Sequence, residues 1–409
     1  MKTNRSFPAA TITPRAEASL RAGHPWVYDS EVLALSETPE NGGLVDILNK
    51  KGAYLGTGFY SGQSKLRLRL LAQNANESFG PAFFARRVGY ALAYRQRVMG
   101  PDYPRCCRLI FGEADGLPGL TVDRFGDLLV AEVLSAGVEA VKHDIYRALC
   151  ETMAEQGFPV AGIYERNEST IREREGLPRS KGWVTAPYVG VPASPVTEIV
   201  ENGVRYRVDV ENGQKTGFFL DQKRNRRAAA ALSPGLRVLD CFTHTGSFAL
   251  NAALGGAAHV TAVDVSQTAV DMARENAALN GLTEKMDFVC ADVFDLLPEL
   301  LAQKARYDFI ILDPPAFTKS RKTTAAAARG YKEINYRAMR LLPRGGYLAT
   351  ASCSHFMSPE LFQKTLLSAA RDAGVTLRLI EARRAAPDHP TLPAVPETDY
   401  LKFMLFQLL

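Results

Sequence analysis

The sequence predicts an α/β chain whose C-terminal half is an open, mostly parallel sheet. Two observations predict it. From about Thr197 onward short apolar strands alternate with helical segments, and four of those strands end at or near an aspartate, one strand–helix unit apart. A third observation marks the contrast. The first 190 residues read as strands joined by Gly, Pro and Asp turns, with few helices between them.

At 409 residues the chain is long enough for two or three domains. Residues 1–75 read as short strands. In "KLRLRLLA" the basic residues Lys65, Arg67 and Arg69 fall on one face and Leu66, Leu68 and Leu70 on the other, which predicts a half-buried sheet with a basic outer face. Residues 78–100 read as a helix rich in Arg (Arg86, Arg87, Arg95, Arg97). Strand-like runs follow in "RLIFGEADGLPGLTVDRFGDLLVAEVL", then a helix closed by Gly157, then the strand "VAGIYERN". This order predicts a central α+β domain, and the division expected is 1–75, 76–190 and 191–409.

Residues 1–110 hold 15 Lys and Arg against 8 Asp and Glu, a balance of +7, leaving −2 for the remainder. A basic front on a nearly neutral body points to a polyanion-binding module. Neither a signal-peptide pattern at the N-terminus nor an apolar run of the ~18 residues that span a bilayer is present, so a cytoplasmic protein without a membrane partner is expected. The six cysteines include no C-x-x-C pair, and no metal site is expected.

"TEIVENGVRYRVDV" predicts a hairpin turning at Asn202-Gly203. The strands "LRVLDCF", "HVTAVDV", "MDFVCADV" and "YDFIILDPPAF" then bring Asp240, Asp264, Asp292 and Asp313 to the carboxyl edge of a Rossmann-like sheet, at intervals of 24, 28 and 21 residues. Four carboxylates there would repel a phosphate-rich dinucleotide. They would attract S-adenosylmethionine, which has no phosphate and carries a sulfonium and an ammonium. Asp264 is placed to accept the ribose hydroxyls, Asp292 the adenine amino group, and Gly246 to let backbone approach the methionine end. Asp240, Phe242 and Thr245, around the first strand–helix turn, complete the candidate cofactor contacts. A single Gly246 in place of G-x-G-x-x-G argues against nicotinamide or flavin. The bland alternative, that each Asp only caps the next helix, is poor for four in register, and Ser266 is the better cap for the second helix. The series resembles the class I S-adenosylmethionine-dependent methyltransferase fold, which ends in a late antiparallel strand; "YLKFMLFQLL" fits that role.

Asp313-Pro314-Pro315 resembles a motif of methyltransferases that act on nucleobases, with Asp313 facing a flipped base and Phe317 stacking on it. That motif alone leaves amine and carbon methylation open. Cys353, in "GGYLATASCSH", separates them: a thiolate adding at pyrimidine C6 makes C5 nucleophilic, and Asp313 can hydrogen-bond N3 as charge develops. Cys241 and Cys290 read instead as small strand residues. Lys319, Arg321, Lys322 and Arg329, after the Asp-Pro-Pro loop, are placed to hold phosphates, or are solvated loop charges. Asp388-His389-Pro390 reads as a structural turn more readily than as a proton acceptor.

Eight segments, among them "GHPWVYDSEV", "GEADGLPGLTVDRFGD", "GQKTGFFLDQKRNR", "DPPAFTKS", "SCSHFMSPELFQK" and "DHPTLP", resemble in order the bacterial 23S ribosomal RNA cytosine-C5 methyltransferases that carry an N-terminal PUA domain. The resemblance implies a small β-barrel, PUA-like RNA-binding domain near residues 8–75, a central α+β domain and the methyltransferase. It implies Cys353 as nucleophile, Asp313 as the base-contacting acid and Gln222 as a cofactor contact. The implied partner is 23S ribosomal RNA or a large-subunit assembly intermediate, with a homodimer left open. Competing readings are methylation of uracil C5 or a guanine amino group, a non-catalytic RNA-binding factor, and a small-molecule methyltransferase that has no use for the basic front.

Overall fold

The computed structural model describes residues 7–318 and 320–409. Contacts group the chain into two compact units. The first comprises Met1–Ile199, Val208–Leu220 and Pro387–Thr398, and the second Val200–Arg207, Asp221–Ala386 and Asp399–Leu409.

The first unit holds two sheets. Six short strands lie in the order Trp26–Tyr28, Leu66–Ala72, Tyr54–Tyr60, Leu44–Leu48, Ala9–Ile12, Val32–Leu35. Ala10, Ile12, Leu20, Val27, Val45, Ile47 and Leu68 make their core. The second sheet orders Ser180–Trp183, Gly162–Asn167, Leu128–Val133, Leu120–Phe125 and Cys106–Phe111. The helices Pro81–Met99 and Ala136–Glu155 add Phe83, Phe84, Leu92, Ile145, Tyr146 and Leu149 to its core. The segment expected to be a helix over 78–100 is therefore one.

The basic outer face expected of "KLRLRLLA" needs correction. Only Lys65 is exposed. Arg69 is buried and bidentate to the buried Glu175, at 2.8 and 3.1 Å. Arg67 is bonded to Asp29 and to the carbonyl of Ser61. Arg95, on the Arg-rich helix, is also fully buried and is paired with Asp115. Strand alternation predicts which residues share a face, but not whether another segment covers it. Asp388-His389 is structural. Asp388 accepts the Arg108 N–H at 3.0 Å and meets His389 Nδ1 at 2.9 Å, all within the first unit.

The sheet of the second unit has seven strands: β1 (Arg237–Cys241), β2 (His259–Asp264), β3 (Met286–Cys290), β4 (Phe309–Leu312), β5 (Tyr347–Ser352), β6 (Leu377–Arg383) and β7 (Lys402–Leu408). Their spatial order is 3-2-1-4-5-7-6. The first five are parallel, and β7 runs antiparallel to both β5 and β6. The late antiparallel strand is thus where the sequence put it. The central strands are apolar on both faces, as a parallel sheet covered by helices requires; Val238, Leu239, Val260, Ala262, Phe309, Ile310, Ile311 and Leu348 are fully buried.

Helix α1 (Lys223–Leu232) precedes β1, and five helices among the described residues connect the strands: α2 (Ser247–Leu254), α3 (Gln267–Leu279), α4 (Val293–Ala302), α5 (Thr324–Leu341) and α6 (Pro359–Ala373). Ser266 caps α3 by accepting the Ala269 N–H, and Ser358 caps α6, which carries Pro359 in its first turn and stops at Gly374 with φ +72°. The hairpin Val196–Glu201/Val204–Asp209 turns at Asn202-Gly203, both with positive φ (54° and 85°). Its Arg205 and Arg207 N–H groups donate to Asn280 and Asn276 of the α3 segment, each at 2.9 Å.

One ion pair fixes α1, the helix that follows Gln222. Arg226 is bidentate to Glu201 at 2.5 and 2.8 Å, with both side chains essentially inaccessible. Breaking such a pair leaves an uncompensated charge in the interior. Glu201→Ala is therefore expected to lower the hydrogen-exchange protection of the α1 amides by about 3–5 kcal/mol. Unchanged protection would show that packing alone holds the helix.

Candidate functional site

The parallel register brings the chemistry to one edge. Asp240 lies in β1 opposite Ala262 of β2 and Ile311 of β4. Asp264 ends β2 opposite Cys290, Asp313 follows the last residue of β4, and Cys353 follows the last residue of β5.

Each aspartate is held differently. Asp240 is fully buried. Its Oδ2 accepts from Thr243 Oγ1 at 2.6 Å and from Ala249 N at 2.9 Å, while its Oδ1 has no partner. Burial pushes its carboxyl up to about 7 against the pull of those two hydrogen bonds, and the neighbouring Asp313 and Asp264 charges push the same way. Asp264 is oriented by main chain: His244 N donates to Oδ2 at 2.9 Å and Ser266 N to Oδ1 at 3.0 Å. Asp292 is the N-cap of α4, accepting Phe294 N at 2.8 Å. The capping alternative thus describes a real contact for this one aspartate, whereas Ser266 caps α3. Asp313 accepts the Gln222 side-chain amide at 2.8 Å. Gln222, itself buried, is braced by Asn225 at 2.6 Å.

The turn after β1 is conformationally unusual. Phe242, His244 and Gly246 all have positive φ, at 66°, 52° and 83°. A Cβ on Gly246 would lie 3.1 Å from Ala273 Cβ and 3.2 Å from Leu250 Cδ1. The glycine is thus required by its backbone conformation and by the close approach of α3. Thr245 is buried, and its Oγ1 has no partner. Phe242 packs against the core beneath the sheet edge.

Cys353 is partly exposed, with its Sγ 4.0 Å from the carbonyl oxygen of Pro314, the residue after Asp313. Its neighbours Ser352 and Ser354 both meet the buried Tyr331 hydroxyl at 3.0 Å. Cys241 is fully buried, and burial pushes its thiol well up. Cys290 departs from its core reading: it is exposed, with Sγ 3.4 Å from the Val265 carbonyl. Phe317 packs on the Tyr331 ring with centroids 4.6 Å apart. Arg329 is exposed on α5, Arg321 and Lys322 are exposed on the turn before it, and Lys319 lies outside the described residues.

Sequence reasoning missed Lys402, Tyr331 and Asn225. Lys402 did carry a signal, as a lone charge in the apolar run "YLKFMLFQLL". Tyr331 and Asn225 carried none, because their roles depend on partners 21 to 23 and 158 to 159 residues away as well as on local ones.

Comparison with known proteins supplies the kinship. The S-adenosylmethionine-dependent methyltransferase family matches residues 184–407, and a PUA-like domain family matches residues 10–73. A Klebsiella pneumoniae (strain 342) protein named ribosomal RNA large subunit methyltransferase I is 41% identical over 401 residues, covering 98% of each chain. The protein of that name from Aeromonas hydrophila is 43% identical over 387 residues, covering 94% of this chain and 96% of its own. Among solved structures, a Streptococcus mutans chain proposed to be a S-adenosylmethionine-dependent methyltransferase shares the fold, with a TM-score of 0.81 at 22% identity over 98% of this chain and 99% of its own.

The buried Asp240 has a consequence for stability. A carboxyl raised from 3.8 to about 7 on folding favours the protonated form in the folded state. Its stabilising contribution is complete below the ordinary carboxylate range and is lost as pH rises through about 7. Three units correspond to at most about 4 kcal/mol. Asp240→Asn, which cannot ionise, is expected to unfold at a higher temperature than the unaltered protein at pH 8 and to lose most of that advantage at pH 5. Thermal melts at the two pH values measure this, and an equal gap at both would remove the assignment.

Proposed function

The chain belongs to the family of S-adenosylmethionine-dependent methyltransferases that includes the ribosomal RNA large subunit methyltransferase I proteins, and from that premise we propose that it forms 5-methylcytosine in 23S ribosomal RNA through a covalent adduct of Cys353. S-adenosylmethionine is its cofactor. The residues at the sheet edge suit this molecule. Four carboxylates face a ligand that is cationic and free of phosphate, and the partnerless Asp240 Oδ1 and Thr245 Oγ1 are buried polar atoms at the same turn. Asp240, Phe242, Thr245, Gly246, Asp264, Asp292 and Asp313 are the proposed contacts. Gln222 is proposed to act through its bond to Asp313.

The observation that carries the chemistry is the placement of Asp313 and Cys353 at the ends of the adjacent parallel strands β4 and β5, with the thiol 4.0 Å from the carbonyl that follows Asp313. In the proposed reaction the Cys353 thiolate adds to cytosine C6. The C5–C6 π electrons move toward C5 and N3, and Asp313, oriented by Gln222 and in its protonated form, donates its carboxyl proton in a hydrogen bond to N3 as negative charge builds there. When bound, S-adenosylmethionine supplies the electrophilic methyl group that C5 takes. Loss of the C5 proton to a base then returns the electron pair to the ring, and the C6–S bond breaks to restore the thiolate. Asp313 serves this sequence only if a flipped cytosine enters with its N3 edge toward β4.

The large-subunit RNA assignment draws on the names of the relatives and on the PUA-like match at residues 10–73. Phe317, backed by Tyr331, together with Lys319 and Arg329, is proposed to meet the RNA. The proposed division remains 1–75 for RNA binding, 76–190 for the central domain and 191–409 for catalysis. Free 23S RNA or an assembling large subunit is the proposed substrate in the cytoplasm. No helix among the described residues is long and apolar enough to cross a membrane.

Cys353→Ala is expected to lower methyl transfer to unmodified ribosomal RNA on the order of 10⁴-fold or more. Labelled cofactor and mass spectrometry of the product nucleosides provide the readout. Persistent transfer by the variant would end the adduct mechanism, and a product other than 5-methylcytosine would end the base assignment.

A further inference from the structure

Lys402 is the only charged side chain in the strand run from Tyr400 to Leu409. It is paired in register with Ser352, the residue before Cys353. Its side chain is 5% exposed, and its Nζ donates to the carbonyl of Ser354, the residue after Cys353, at 2.7 Å and to that of Tyr400 at 2.8 Å. The residue therefore meets the main chain on both sides of the cysteine, by strand register at Ser352 and through its ammonium at Ser354. Two of its three N–H donors end on neutral carbonyls. No carboxylate lies within ion-pair distance of it among the described residues. Asp399, whose charge also acts on it, is committed to Arg384 at 3.0 Å.

A desolvated ammonium without a counter-ion is costly. The anion best placed to lower that cost is the thiolate of Cys353. We infer that Lys402 is a positioning residue that holds Cys353 as its thiolate and fixes the loop that presents it. The inference rests on the reading of Cys353 as the nucleophile.

The electrostatics agree with this geometry. Burial lowers the Lys402 ammonium to about 8, partly offset by the Cys353 and Asp399 charges, which push it up. Coupling of this kind is mutual: what keeps the lysine protonated keeps the cysteine ionised. Other charged or titratable groups stand around the pair, Asp313 at the end of the neighbouring β4 among them. Arg383, Arg384 and Asp399 line a cavity of about 270 Å³ together with Lys402. On the α5 side stands the Tyr331 phenol, which burial pushes up, with Cys353 adding to the push. Burial keeps it uncharged against the opposite pull of its hydrogen bonds to Ser352 and Ser354, which aim it at the loop.

The test is alkylation of the full-length protein by iodoacetamide, with the rates at Cys353 and Cys290 read separately by peptide mass spectrometry across about pH 6 to 10. Cys290 is exposed and serves as the internal reference. In the unaltered protein Cys353 should ionise at lower pH than Cys290. In Lys402→Met its midpoint should rise by about one unit, slowing its alkylation roughly tenfold at neutral pH while Cys290 is unchanged. Lys402→Arg should keep a midpoint near the original. Equal midpoints for the two cysteines in the unaltered protein would overturn the inference without any variant. So would a Met variant whose Cys353 to Cys290 ratio does not move, or an Arg variant that behaves like the Met variant. Methyl transfer is not measured in this experiment, so its failure leaves the role of Cys353 standing. Activity in Cys353→Ala would remove that role whatever the alkylation shows.

Discussion

The site depends first on the parallel register of β1 to β5. Parallel strands emerge at one edge, so residues at or shortly beyond their last ladder pairs are delivered to the same crevice. Cys241 pairs with Leu312, and Leu312 with Thr350, which brings Asp313 and Cys353 to that edge from neighbouring strands. A slip of one residue in β4 would turn its side chains to opposite faces and carry Asp313 away from Gln222. No polar contact at the edge could resist such a slip. What resists it is the apolar interior of the sheet, where burying each Val, Leu or Ile contributes roughly 1.5–3 kcal/mol. The chemistry of the edge is specified by residues that take no part in it.

Gathering four carboxylates at one edge has an electrostatic cost, and the chain meets it unevenly. Asp264 and Asp292 take main-chain N–H donors, and Asp313 takes the Gln222 amide. Asp240 alone among them is cut off from water, and burial pushes its carboxyl up to about 7. The edge therefore combines three partly exposed aspartates held by donors with one, also held by donors, whose burial opposes its charge. A cationic ligand arriving there would favour the ionised form of Asp240, so binding and the charge state of that residue are linked.

Much of this was legible in sequence because it is local. The strand–helix alternation, the aspartate spacing, the Asn202-Gly203 hairpin and the Ser266 cap all depend on residues within one or two elements of each other. What was not legible depends on long-range covering. Arg69 looked like an outward-facing base until Glu175, 106 residues away, closed over it. Phe317 looked like a platform for a nucleobase, and one side of its ring turns out to rest on Tyr331. Cys290 looked like a core thiol, but strand β3 ends too close to the surface to bury it. The chain also leaves and re-enters each compact unit, and no composition shift marks the crossings at 200, 208, 221, 387 and 399.

Covering also changes what the basic front means. A count of charges treats every Arg in the first 110 residues as available to a polyanion. Yet Arg69, Arg95 and Arg108 are committed to Glu175, Asp115 and Asp123 with little or no exposure. These cations are neutralised within the first unit and contribute little field to solvent. The exposed positive charge lies instead on residues such as Lys50, Lys51 and Lys65 in the strand-rich part, which are free to meet phosphates at small desolvation cost. Affinity for RNA carried by such residues would be salt-sensitive and weakly sequence-specific, since phosphate contacts position a partner without reading its bases. In the proposed reaction, selection of the target base would then fall to the sheet edge, where Asp313 and Cys353 would have to engage one flipped pyrimidine together.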